Sequence, residues 1–139
     1  MGNQFAVDSS VVLSWLFEDE SSKSSEAILK KVIYESYTCL APYLIRFEVP
    51  NAVLIALKRK RISQETTKKI LIFFDILPIE IDTGSQLQTT KSIYTLAEKH
   101  SLTIYDASYL ELAMRLDLNL ATYDKELIKA AKSEKIKLV

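Results

Sequence analysis

Four carboxylates, Asp8, Glu48, Asp106 and Asp124, stand out by where they fall along the chain. Asp8 ends the apolar run Phe5-Ala-Val7 and precedes Val11, Val12, Trp15 and Leu16, whose spacing is helical. Glu48 lies near the start of a long helical pattern, and Asp106 in the first turn of one opened by Thr103. Asp124 comes a few residues after the apolar segment Leu118–Ala121. Carboxylates gathered in one cleft repel and raise one another's pKa values. A hard cation such as Mg²⁺ or Mn²⁺, which prefers carboxylate oxygen and keeps several waters, relieves that repulsion. A metal held this way can activate water and stabilise a leaving oxygen in phosphodiester hydrolysis. Each acid also has a local reading as part of a helix start. Asp8 and Asp124 read as caps, Asp106 as the partner of Thr103, and Glu48 as a first-turn acid favoured by the helix dipole. Singly, the local readings suffice; jointly, the four acids point to one shared edge.

The elements that must position them are read from periodicity. Strands are expected at Phe5–Val7, Thr38–Ala41, Leu77–Ile81, Leu118–Ala121 and Ile136–Val139. Helices are expected from Val11, capped by Ser9 or Ser10, and over Glu26–Tyr34, with cap signals in Ser21–Ser25. Further helices are expected over Tyr43–Arg61, Ser63–Phe74, Leu87–Lys99, Thr103–Leu116 and Asp124–Ala131, with a break at Gly84-Ser85. Pro50 falls inside the Tyr43–Arg61 pattern and is tolerated only if the helix begins shortly before it or kinks there. Strands alternating with helices predict an α/β fold with a central, mainly parallel sheet of about five strands and helices on both faces. In such a sheet ligands bind beyond the carboxyl ends of the strands, where Asp8 and Asp124 would sit.

Composition narrows the function. The 139 residues suggest a single domain spanning 1–139, and a hydrophobic fraction of 48% argues against disorder. Eighteen Lys and Arg balance eighteen Asp and Glu, so a grip on nucleic acid must come from local patches. The candidates are Lys58-Arg59-Lys60-Arg61, Lys68-Lys69, and the series Lys125, Lys129 and Lys132, each of which also reads as an ordinary solvated helix end. Arg46 lies nearest in sequence to an acid and could pair with one instead. The single cysteine, Cys39, excludes an internal disulfide and points to a reducing, cytoplasmic setting. One cysteine and one histidine, His100, cannot build a His/Cys zinc cluster. No apolar run approaches the ~20 residues of a membrane span, no secretory signal pattern is present, and two glycines do not make a phosphate-binding loop.

Four segments in order resemble the PIN domain family, and within it the VapC-type toxins of bacterial toxin–antitoxin pairs. They are Val7-Asp8-Ser9-Ser10, Leu40 to Leu54 with its Glu48-x-x-Asn51, Leu102 to Ala113 around Asp106, and Leu120-Ala-Thr122-Tyr-Asp124-Lys-Glu-Leu127. The resemblance spans essentially the whole chain. It implies an α/β/α sandwich and a Mg²⁺- or Mn²⁺-dependent endoribonuclease, with the metal and catalytic site at Asp8, Glu48, Asp106 and Asp124. It further implies supporting roles for Ser10, Asn51 and Thr122, an RNA substrate, a homodimer and an inhibitory cognate antitoxin. Lys58, Arg59, Arg61 and Lys125 are the candidate RNA contacts. An antitoxin peptide would bring a cation towards Asp8 and Asp106 and an apolar stripe to Trp15, Leu16 and Phe17 or to Leu54 and Leu57. Two rival classes remain: a catalytically silent interaction domain, and a metal-dependent phosphatase or phospho-acceptor domain using Asp8. The lack of a second acid directly after Asp8 weakens the latter.

Overall fold

The computed structural model describes residues 2–84 and 86–139, the side chains of 86–88 excepted. In chain order the elements are β1 (Gln4–Val7), α1 (Ser9–Leu16), a short 3₁₀ turn (Glu18–Glu20), α2 (Lys23–Tyr34), β2 (Thr38–Ala41), α3 (Ile45–Lys58) and α4 (Gln64–Ile76). Next come β3 (Ile79–Ile81), α5 (Gln86–His100), α6 (Ile104–Arg115), β4 (Leu120–Ala121) and α7 (Lys125–Ser133). The expected break at Gly84-Ser85 falls partly on Ser85, outside the described residues.

The sheet has the order β3-β2-β1-β4, and every pairing is parallel. Phe5 opposes Cys39, Cys39 opposes Ile79, and Val7 opposes Ala121. The chain runs outward from β1 to β2 and β3, then returns to place β4 on the other side of β1. The strand order therefore reverses between β1 and β4. In open α/β sheets the crevice beyond the carboxyl ends at such a reversal is the preferred ligand site. The expected fifth strand is present only as a bridge, Leu120 to Leu138, with Leu120 N–H donating to Lys137 O and Val139 N–H to Leu120 O. The cause is the brevity of β4. Leu118 is held by its N–H bond to Ala113 O in the left-handed turn at Asp117 that ends α6, so β4 begins only at Leu120.

Burial explains why these segments fold as they do. Phe5, Ala6, Val7, Cys39, Ala41, Leu120 and Ala121 are all buried, as expected of strands covered on both faces. Burial pushes the Cys39 thiol up to about 12, so it packs as an inert apolar group. Seven consecutive residues of α6, Ala107 to Ala113, are buried, which marks α6 as the most enclosed helix of the sandwich. Hydroxyl caps fix the starts of α2, α4 and α6 through Ser22, Ser63 and Thr103. At α1 the cap position is taken by Asp8 rather than Ser9 or Ser10, and its side chain makes no capping bond. In α3, i→i+3 bonds from Ile45, Arg46 and Phe47 to Pro42, Tyr43 and Leu44 tighten the first turn. The helix thus begins five residues before Pro50, the arrangement that proline in this pattern requires.

A smaller apolar cluster joins Phe17, Val53, Ala56 and Ile70. Phe17 is therefore buried, with the Arg61 guanidinium 4.4 Å above its ring, and is not part of an exposed docking stripe. The chain turns extended at Phe17, which swings the ring inward at the end of α1. Among the described residues no helix is long and apolar enough to cross a membrane.

Candidate active site at the carboxyl edge

Asp8 lies where β1 ends and α1 begins, only 3% exposed. Its Oδ2 accepts from Ser10 Oγ at 2.6 Å and from Thr122 Oγ1 at 2.9 Å. The second bond crosses the crevice between β1 and β4, beside the backbone bond from Asp8 N–H to Ala121 O at 2.9 Å. Ser10 Oγ in turn accepts from Tyr123 N–H, and Thr122 Oγ1 from Asp124 N–H. Two hydroxyls thus tie the carboxylate to the loop carrying Asp124. Burial pushes the Asp8 carboxyl above the usual carboxylate range and Asp106 adds to this, while Ser10 and Thr122 act in the opposite sense.

Glu48 enters from the first turn of α3, just beyond the end of β2. Tyr109 donates to Glu48 Oε1 from α6. Burial raises the Glu48 carboxyl, Tyr109 opposes that rise, and Asp8 and Asp106 reinforce it. Tyr109 is itself buried, and its phenol is held far above its ordinary range by burial and by the bond to Glu48. Sequence reading missed Tyr109; the available signal was its position three residues after Asp106, on the same side of one helix. Asp106 is half-buried in the first turn of α6, where its own N–H donates to Thr103 Oγ1 at 3.0 Å. Burial raises its carboxyl, Asp124 adds to this, and Thr103 opposes it.

Asp124 does act as a cap. Its Oδ1 accepts from Leu127 N–H at 2.8 Å at the start of α7. Asp124→Ala is expected to cost about 1 kcal/mol of stability, whereas Asp124→Asn keeps the cap oxygen and costs only a few tenths. Urea unfolding of both variants measures this, and equal losses would show that the carboxylate charge matters more than the cap. Asn51 lies one turn beyond Glu48, exposed, and among the described residues makes no side-chain hydrogen bond.

Asp8, Glu48 and Asp106 repel one another and Asp124 repels Asp106, and none of the four forms a salt bridge among the described residues. Arg46 pairs with Asp75 at 3.5 Å instead. Among the described residues no three Asp, Glu, His or Cys side chains stand close enough to hold one ion directly. The donor set still suits a hard cation that retains part of its water shell, since hydrated Mg²⁺ is commonly held by one or two carboxylates. Of the four candidate RNA contacts, Lys125 directly follows Asp124 at the start of α7. Lys58 and Arg59 close the far end of α3, about 15 Å along the helix axis from Glu48. Arg61 donates to Asp19 Oδ1 at 2.7 Å and Glu20 Oε2 at 2.8 Å, so its charge is engaged within the chain.

A parallel four-stranded α/β sandwich with carboxylates gathered at its strand-order reversal is the class that fold and site define. The chain belongs to the PIN domain family, whose model matches residues 5–133. It is 31% identical over 128 residues to Ribonuclease VapC1 of Mycobacterium tuberculosis, covering 92% of this chain and 91% of that one. It is 25% identical over 124 residues to Ribonuclease VapC3 of Pyrobaculum aerophilum, covering 89% and 92%. The crystal structure of VapBC2 from Rickettsia felis bound to a DNA fragment from their promoter matches the fold with a TM-score of 0.66. That match has 16% identity and covers 98% of this chain and 97% of that chain.

Proposed function

We propose that the chain is a divalent-metal-dependent endoribonuclease and the toxin of a type II toxin–antitoxin pair, working as a single cytoplasmic unit over residues 1–139. The observation that carries this is Asp8. It is a buried carboxylate at the strand-order reversal, held by the Ser10 and Thr122 hydroxyls and the Ser10 backbone with no cation beside it among the described residues, and coupled to Asp106, with Glu48 and Asp124 on the same edge. Such a carboxylate is costly unless a cation meets it. Asp8, Glu48, Asp106 and Asp124 would hold Mg²⁺ or Mn²⁺, directly or through water. The bound ion supplies an activated water and stabilises charge on the leaving oxygen. Ser10 and Thr122 fix the Asp8 carboxylate, Tyr109 fixes Glu48, and the cap bond to Leu127 fixes Asp124. Side chains held in place by a surrounding shell are what a pre-organised site requires. The names of the VapC relatives and of the VapBC2 complex support the ribonuclease activity and an antitoxin partner.

The acidic edge calls for a blocking peptide that presents a cation there. Its apolar stripe would meet Leu16 and Ile62 in the cleft of about 740 Å³ between the end of α1 and the start of α4. Exposed Leu54, Ile72 and Ile76 support a homodimer, which sedimentation velocity separates from a monomer. The test of activity is incubation with RNA and with a small phosphomonoester, each with Mg²⁺ and with EDTA. Cleavage of RNA alone, in Mg²⁺ alone, is the expected result. Turnover of the phosphomonoester alone would replace this proposal with a phosphatase, and no turnover of either would favour a silent interaction domain.

A further inference from the structure

Three of the acids are immediately preceded by an exposed aromatic residue. Phe47 precedes Glu48, Tyr105 precedes Asp106 and Tyr123 precedes Asp124, and the three are 64%, 61% and 37% exposed. Tyr43, also exposed, packs edge-on to Phe47 with ring centroids 5.5 Å apart. A large apolar ring left in water serves no core, and here such rings recur beside the acids at one end of the sheet. Tyr123 is also held in place. Its N–H donates to Ser10 Oγ, which itself donates to Asp8, and its phenol bonds Ser24 Oγ at the start of α2 at 3.0 Å. The ring is therefore set in a fixed relation to the most buried carboxylate. Tyr105 occupies the first turn of α6, where Ser108 Oγ donates to its carbonyl and leaves the ring projecting.

Charge argues for the same role. The chain has no net positive charge, Arg61 is bonded to Asp19 and Glu20, and Lys58 and Arg59 close the far end of α3 from Glu48. The acids at this edge repel the phosphate backbone they must cut. Affinity has to come from the other face of a nucleotide, its base. Exposed aromatic rings supply that, because every base has a π-face and stacking does not depend on sequence. Stacked bases must be splayed out of a helix, as in single-stranded or looped RNA.

Resting on the ribonuclease proposal above, we propose that Tyr105 and Tyr123 are base-stacking residues that position the nucleotides next to the scissile phosphate, with the Phe47–Tyr43 pair extending the platform.

The test is binding rather than turnover. Fluorescence anisotropy in EDTA compares wild type, Tyr105→Ala, Tyr123→Ala, Tyr105→Trp and Tyr105→Leu on a labelled single-stranded RNA octamer. The same octamer with one abasic position, moved along the strand, is the second probe. Each alanine variant is expected to lose about 10-fold or more in affinity, the scale of one base–aromatic stack, with Trp retaining affinity and Leu not. An abasic site that weakens wild type should weaken Tyr105→Ala or Tyr123→Ala no further. Alanine variants that bind as wild type does, or a full abasic penalty persisting in both, overturn the platform even where wild type cuts RNA. Wild type that neither binds nor cuts RNA overturns the ribonuclease proposal itself, and the platform with it. Tyr105 is exposed, so its variants are expected to melt with wild type, whereas Tyr123→Ala also loses the bond to Ser24 Oγ and is expected to melt lower.

Discussion

Asp106→Asn is expected to lower Mg²⁺-dependent RNA cleavage by on the order of 10²–10³-fold, the scale of removing one pre-organised charge-stabilising group. The substitution keeps the shape of the side chain and leaves untouched the bond from its own N–H to Thr103 Oγ1, so α6 still starts at Ile104. Only the charge is lost. Asp106 is the hub of the electrostatic set, since it raises the carboxyls of Asp8 and Glu48 and is itself raised by Asp124. Removing it should release that repulsion and weaken the hold on a cation together. The same variant reads out in cells. Expression of wild type alone should arrest growth, and co-expression with an antitoxin, sought in the neighbouring reading frame, should restore it. Asp106→Asn alone should leave growth unimpaired. Cleavage by Asp106→Asn equal to wild type in Mg²⁺ would remove the site from Asp106, and cleavage undiminished by EDTA would remove the metal.

The convergence of the acids was legible in the sequence because parallel strands all end at the same edge of their sheet, and the loop leaving each strand begins there. Asp8 after β1 and Thr122 after β4 meet once those strands lie side by side, as the pairing of Val7 with Ala121 shows. The caps were equally legible, because Ser63, Thr103 and Asp124 act on amides three residues away and need no tertiary contact. The features that escaped it depend on distant packing. Tyr109 reads as one more core aromatic until α6 is laid against α3, when its hydroxyl meets Glu48 across 61 residues of chain. Phe17 continues the apolar run of α1 and looks available for docking. Only the fold shows it buried against Val53 and Ile70 beneath Arg61, which bonds Asp19 there. The last strand, expected at Ile136–Val139, had the right alternation. Pairing, however, is set by the neighbour, and β4 offers two residues.

Asp8→Asn is expected to melt higher than wild type in EDTA at pH 8, by about 3–5 °C for a gain on the order of 1 kcal/mol in a chain of this size. Asparagine keeps an oxygen for the Ser10 and Thr122 hydroxyls, and it removes a charge that burial penalises. The sign comes from linkage. Asp8, Glu48 and Asp106 all have folded-state pKa values raised above their unfolded values. Between those values the folded state binds more protons, so their stabilising contribution is complete below the unfolded pKa of about 4 and is lost as pH rises through the folded values. Metal-free wild type should therefore lose stability between pH 4 and pH 8, and Asp8→Asn should lose less. The lowered carboxyls of Asp19 and Glu134 act in the opposite direction, but their main partners, Arg61 and Lys99, lie at the surface, where ion pairs contribute little. Mg²⁺ should reverse the order. A ligand bound only by the folded state adds about 2.7 kcal/mol at 100 times its dissociation constant, and wild type binds it more tightly than the variant. Thermal melts of both proteins at pH 4.5 and pH 8, with EDTA and with Mg²⁺, measure all of this. A variant clearly less stable than wild type in EDTA at pH 8 would mean that the Asp8 carboxylate holds the fold together rather than straining it, and that its burial serves structure instead of a cation.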